Sequence, residues 1–142
     1  MTLINQLCED LQEMFKNQES EYNKVLVKEQ YKTFPKGYFP KVIIQEIQNS
    51  EVVRRSTTQG ERTTQLGYQI TVYARDSEEF DNIDNVRNII SLIEDYLKPP
   101  KYNMQRVGTS AYYPYMSDPT IMTGVLRYNC VYDYETNLIY KN

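Results

Sequence analysis

Residues 65–75 alternate without interruption. Leu66, Tyr68, Ile70, Val72 and Ala74 share one side, and Gln65, Gln69, Thr71, Tyr73 and Arg75 share the other. A period of two with one apolar and one polar side specifies a strand of an antiparallel sheet that is covered on one face and open on the other. A second strand pattern, residues 40–47, precedes it and starts from Pro40. Between the two lies a polar excursion, residues 48–64, in which Val52 and Val53 are the core-type residues. Hairpin connections normally take about two to five residues, and longer ones are usually functional. The chain therefore places a projection between two strands that its core does not require.

Leu3, Ile4, Leu7, Leu11, Met14 and Phe15 recur at helical spacing, with Glu9, Asp10, Gln12 and Glu13 on the opposite face. The spacing predicts a helix over residues 2–18, with Thr2 as its cap. Residues 20–39 are less regular. Val25-Leu26-Val27 suits a short strand, and Pro35, Gly37 and Pro40 punctuate the rest. Lys24, Lys28, Lys32, Lys36 and Lys41 make this the basic stretch, most simply a solvated connection. Asp76 and Glu79 have the spacing of a capping box, so a second helix is expected from Asp76. Ile83, Val86, Ile90, Ile93 and Leu97 mark its apolar face, and Pro99-Pro100 ends it.

Beyond that helix, residues 104–113 have period-two character and residues 114–119 read as a turn. Residues 121–134 form a long strand. Leu126, Tyr128, Cys130, Tyr132 and Tyr134 lie on one side, and Val125, Arg127, Asn129 and Val131 on the other. The tail, residues 135–142, carries an apolar Leu138-Ile139-Tyr140 able to dock. The expected fold is one α+β domain over residues 1–142. It has about four mostly antiparallel strands, two helices packed on one face and a long projecting hairpin loop.

A chain of 142 residues suits one domain, which should bury roughly 70% of its unfolded surface. Hydrophobic residues at 40% and charged residues at 25% fit a globular chain. The net charge of −3 argues against a dedicated nucleic-acid binder but allows a local basic patch. Histidine is absent, which removes the usual general base and the commonest metal ligand. Cys8 and Cys130 are too few for a disulfide framework and read as reduced, core-facing thiols. No signal peptide is expected, and no apolar run approaches the roughly 18 residues that would span a bilayer. The 14 tyrosines suit half-buried strands and protein interfaces alike.

Chemistry-bearing patterns are few. Asp76, Glu78, Glu79, Asp81 and Asp84 lie along one helix start, where capping explains them better than an acid–base pair across a cleft. Gly37 and Gly60 stand alone, so no phosphate cradle forms. No cofactor, metal or catalytic residue is expected, and the chain reads as a non-enzyme. One contrast remains. Arg54, Arg55 and Arg62 make the excursion locally basic, while Glu78, Glu79 and Asp81 make the helix start acidic. A projection of one subunit docked on the acids of the next is a head-to-tail contact that closes into a ring if the rotation fits. An arm of this length reaches about 25 Å at roughly 3.3 Å per residue.

Phe39-Pro40-Lys41-Val42-Ile43-Ile44-Gln45-Glu46-Ile47-Gln48-Asn49-Ser50-Glu51 resembles the first strand of the tail terminator, or tail-completion, proteins of long-tailed bacteriophages. Tyr68-Gln69-Ile70-Thr71-Val72-Tyr73-Ala74-Arg75-Asp76 looks like that family's second strand leading into its second helix. Arg127-Tyr128-Asn129-Cys130-Val131-Tyr132-Asp133 looks like its last long strand. The resemblance implies an α+β subunit of a homohexameric virion ring at the head-proximal end of the tail. It would be made in the host cytoplasm. Such a ring caps the tail tube, ends tube polymerisation and meets neck or head-completion proteins. DNA passes through its lumen without sequence-specific binding, and no membrane is involved. The alternatives are another neck component, such as a stopper, and an adaptor module with a single protein partner.

Overall fold

The computed structural model describes residues 3–30, 32–52, 63–98, 104–107, 111–133 and 138–140. Helix α1 (Leu3–Lys16) buries Leu3, Ile4, Leu7, Leu11 and Phe15, the stripe that the spacing specifies. Its polar side has an unexpected task at Gln12. That amide donates to the Val25 carbonyl at 2.9 Å and accepts from the Val27 N–H at 2.8 Å. The side chain thus acts as a backbone partner for the start of the next strand.

A 3-10 turn, Glu21–Lys24, is capped by Ser20 and leads into β1 (Leu26–Glu29). A tight turn at residues 35–38 follows, with Gly37 at φ 70°, where a side chain would be strained. Strand β1 pairs parallel with β2 (Lys41–Val52), which pairs antiparallel with β3 (Thr63–Ala74). Helix α2 (Asn82–Leu97) leads to β4 (Gln105–Arg106), β5 (Ala111–Tyr115), β6 (Asp118–Asp133) and β7 (Leu138–Tyr140). The sheet runs β1-β2-β3-β6, and the free side of β6 is shared by β4, β5 and β7.

Strand alternation decides the two faces. Val42, Ile44, Leu66, Tyr68, Ile70, Val72, Leu126, Tyr128 and Cys130 are buried in one cluster with the apolar stripes of both helices. The cross-strand pairs Val42↔Val72, Ile44↔Ile70 and Ile70↔Leu126 keep that face continuous. Gly124 stands opposite Val72 on the same face and lets α2 approach closely.

The fold class is α+β with two helices, as expected, but the sheet is larger and mixed. Among the described residues it contains seven strands where about four were expected, and β1 is parallel to its neighbour. Much of the polar excursion is not irregular. The β2–β3 ladder continues to Val52↔Thr63 past a bulge between Glu46 and Gln48, so only residues 53–62 lie beyond the described strands. Backbone pairing needs no apolar side chain, which is why a polar composition hid it.

Helix α2 starts later than the capping-box spacing implies. Asp81 is its N-cap residue, and Asp76 instead accepts from the Asn82 N–H at 2.6 Å. Residues 77–80 form a turn closed by the Ser77 N–H on the Phe80 carbonyl at 2.8 Å, which displaces the first helical turn. The turn expected at residues 114–119 is tighter as well. Pro114 lies in β5 opposite Met122, Pro119 lies early in β6, and both positions tolerate a missing N–H. The expected cap Thr2 and stop Pro99-Pro100 lie outside the described residues.

Candidate interaction surfaces

The acidic segment between β3 and α2 is held by a small polar network. Asn85 is only 4% exposed although it is polar. Its Nδ2 donates to the Arg75 carbonyl at 2.8 Å and to Ser77 Oγ at 3.2 Å. Its Oδ1 accepts from the Tyr22 hydroxyl at 2.9 Å, and Asn88 Nδ2 donates to that same hydroxyl at 2.9 Å. Ser77 Oγ donates to Glu21 Oε1 at 2.9 Å, and the Tyr22 and Phe80 rings stack with centroids 6.5 Å apart. Burial raises the pKa of Tyr22, the Asn88 hydrogen bond opposes this, and nearby Glu21, Asp84 and Glu79 add to the rise. The loop thereby has a fixed path, and Glu78, Glu79 and Asp81 stand exposed on it.

A cleft of about 350 Å³ opens beside this network, lined by Tyr22, Lys24, Phe39, Arg75, Ser77 and Asn85 among others. Tyr22, Asn85, Ser77 and Glu21 of its lining are hydrogen-bonded to one another. Among the described residues, no three metal-ligating side chains converge, and no helix is long and apolar enough to cross a membrane.

The second surface is the sheet face turned away from the helices. Register aligns Lys41, Tyr73, Thr123 and Tyr113 in one row across four strands. The next row holds Ile43, Thr71, Val125 and Ala111, and a third holds Gln45, Gln69 and Arg127. Lys28 lies opposite Ile43 on the same face. Lys41 Nζ sits 4.9 Å from the Phe39 ring centre, 5.3 Å from Phe34 and 5.5 Å from Tyr73. The Arg75 guanidinium lies 4.6 Å over Phe39, and it pairs with Asp118 at 3.2 Å.

Tyr115 meets Tyr73 edge-on at 5.8 Å. Burial raises the pKa of Tyr73, and Tyr113 and Tyr115 add to that rise. This aromatic cover explains why Thr123 and Ile121 are buried on a face with no helix over it. The β5–β6 hairpin also exposes Tyr112, Tyr113, Tyr115 and, at its tip, Met116, which is 98% exposed. Large exposed aromatic and methionine side chains near cations have the composition of protein interfaces.

The sequence pointed to six interface residues. Glu78, Glu79 and Asp81 lie together on the ordered loop. Arg54, Arg55 and Arg62 lie outside the described residues. The aromatic–cation rows and Asn85 escaped the sequence reading. For Asn85 a signal existed: it occupies the buried stripe of α2 with Val86, Ile89 and Ile93. Helical spacing would have marked it as a polar residue inside the core. In comparisons with known proteins, no family model and no curated protein matches this chain.

Proposed function

We propose that this chain is a structural virion protein of a long-tailed bacteriophage. It assembles into a ring, most simply a hexamer, that caps the head-proximal end of the tail tube. Capping ends tube growth and presents a surface to the neck or head-completion proteins, and DNA passes through the lumen. The observation that carries the reading is the resemblance of three segments to tail terminator strands. Those segments are β2, β3 with its exit, and β6, the three adjacent central strands of one sheet.

An open sheet face rich in tyrosine, a fixed acidic loop and a sheet end that extends β2, β3 and β6 together all suit a subunit that works by contact. In this reading Arg54, Arg55, Arg62, Glu78, Glu79 and Asp81 contribute to the contacts with the neighbouring subunit or the tube. The chain acts as no enzyme and requires no cofactor.

The test is incubation with purified tail-tube protein of the same virion, followed by negative-stain microscopy. Tubes should stop growing and carry a ring at one end. Tubes that elongate unchanged while the protein forms rings alone would point to another neck component. A lasting monomer that leaves tubes unaffected would favour the adaptor.

A further inference from the structure

Charge is segregated on this subunit. Lys28, Lys41, Arg75 and Arg127 line the open face of the sheet, where Asp118 pairs with Arg75. Immediately after Arg75 the chain becomes acidic, with Asp76, Glu78, Glu79, Asp81 and Asp84. Two of these are engaged locally: Asp76 with the α2 backbone and Asp84 with Arg87 at 3.8 Å. Glu78 and Glu79 project from a loop whose path the Asn85–Ser77–Tyr22 network already fixes. Docking such a loop requires little further ordering.

Of the cations they complement, Lys41 and Arg75 lie against Phe34, Phe39 and Tyr73, which supply apolar area around the charge, and Arg127 donates to Gln69 Oε1 at 3.3 Å in the polar row beyond. Aromatic anchors around charged groups are the pattern of interface hot spots.

We propose that the open sheet face of one copy of this chain receives the Glu78–Glu79 loop of another, with the two carboxylates meeting Lys41 and Arg127. The choice of a second copy as occupant rests on the ring reading above. The donor and acceptor surfaces are different patches of the same subunit, so the contact is head-to-tail and propagates around a ring. A long polyanion such as nucleic acid suits this face less well, because the acidic loop adjoins Arg75 in sequence and the chain is net negative. The face supplies the complement without the arginines of residues 53–62.

The experiment uses the intact chain and four proteins: wild type, Lys41→Glu/Arg127→Glu, Glu78→Lys/Glu79→Lys, and the variant carrying all four changes. Sedimentation at a series of protein and salt concentrations reads self-association, and thermal melts confirm folding. Wild type should self-associate, less so as salt rises. Each reversal pair should weaken association by roughly tenfold or more, and the fourfold swap should restore most of it. The proposal is overturned by a monomeric wild type or by reversals that leave association unchanged. A folded fourfold variant that fails to recover also overturns it, as does tight binding of a single-stranded oligonucleotide by wild type that Lys41→Glu/Arg127→Glu abolishes. Self-association that follows the charges without tube capping would sink the terminator reading alone. Capping by a protein whose association ignores these charges would sink this contact alone.

Discussion

Gly124 decides how closely α2 lies on the sheet, and through α2 it places the acidic loop. A methyl group built on Gly124 would stand 2.5 Å from Val86 Cγ1 and 2.7 Å from Ile90 Cδ1. Carbon atoms prefer separations of about 3.5–4.0 Å, so both contacts fall roughly 1 Å short. Ile90 Cδ1 ends a flexible side chain and can rotate away. Val86 is β-branched in a helix, where one rotamer dominates, so the relief there has to come from moving the helix. Overpacking of this kind costs about 1–3 kcal/mol. The smaller backbone entropy of alanine in the unfolded chain returns about 0.4–1 kcal/mol. Gly124→Ala should therefore lose roughly 1–2 kcal/mol, a fall of several degrees in Tm at about 4 °C per kcal/mol for a chain of this size.

Circular dichroism melts measure this loss directly, and a double-mutant cycle tests its cause. Val86→Ala alone should destabilise by leaving a cavity. In the Gly124→Ala background the same truncation removes the clash, so the two losses should fall short of additivity by about 1 kcal/mol. A Gly124→Ala protein that melts at or above wild type would refute the close-approach argument. So would strict additivity in the cycle.

Three further outcomes follow from the same geometry. Asn85→Ala removes the acceptor of the Tyr22 hydroxyl and the donor to the Arg75 carbonyl; it should cost about 2–3 kcal/mol in urea unfolding, and a loss below about 0.5 kcal/mol would show that the network carries little. Thr123 Oγ1 is buried with no partner among the described residues. The near-isosteric Thr123→Val should thus be neutral or stabilise by up to about 1 kcal/mol, and a loss of about 1 kcal/mol would contradict this. Burial pushes the Cys8 and Cys130 thiols from 9.0 up to about 12, and the Tyr128 phenol from 10.0 to about 12. A folded-state value above the unfolded one means that this stability is complete below pH 9 and is lost as pH rises towards 12. Urea midpoints should be level near neutrality and fall across that alkaline range; a level alkaline profile would show that these groups titrate alike in both states.

The elements that could be read from the sequence were those whose side chains repeat their own period. Helix α1, β3 and the Leu126–Tyr128–Cys130 side of β6 each bury one face, and hydrophobic alternation reports burial directly. What alternation cannot report is backbone pairing by polar residues. Gln48 and Asn49 pair with Gly67 and Leu66 in the ladder and still read as a loop, because polar side chains show no hydrophobic alternation even where the backbone is paired. The short strands were legible only in part: Val25-Leu26-Val27 suits the strand seen as β1 and the period-two stretch 104–113 takes in β4, but β7 and the pairing of all three were hidden. Each completes an edge fixed by its neighbour's register, and edge strands of this length carry too few residues to display a period.

The interaction surfaces divide along the same line. The acids at residues 76–84 were visible as a run, since sequence neighbours stay neighbours on a loop. The cations were not, because Lys28, Lys41, Arg75 and Arg127 come from separate segments that only the sheet register brings together. By sequence position Lys28 and Lys41 belong to a solvated basic connection. In the fold they share the rings of Phe34, with Nζ at 5.6 and 5.3 Å from its centre. Clustering like charges on one face costs Coulomb energy unless something offsets it. The rings and Asp118 do so in part within the subunit, and in the proposed assembly the carboxylates of a neighbouring copy supply the remainder. Of the six residues singled out from sequence, Glu78, Glu79 and Asp81 thus belong to the acidic half of the contact, and the register of β1, β2, β3 and β6 supplies a basic half independent of the arginines in residues 53–62.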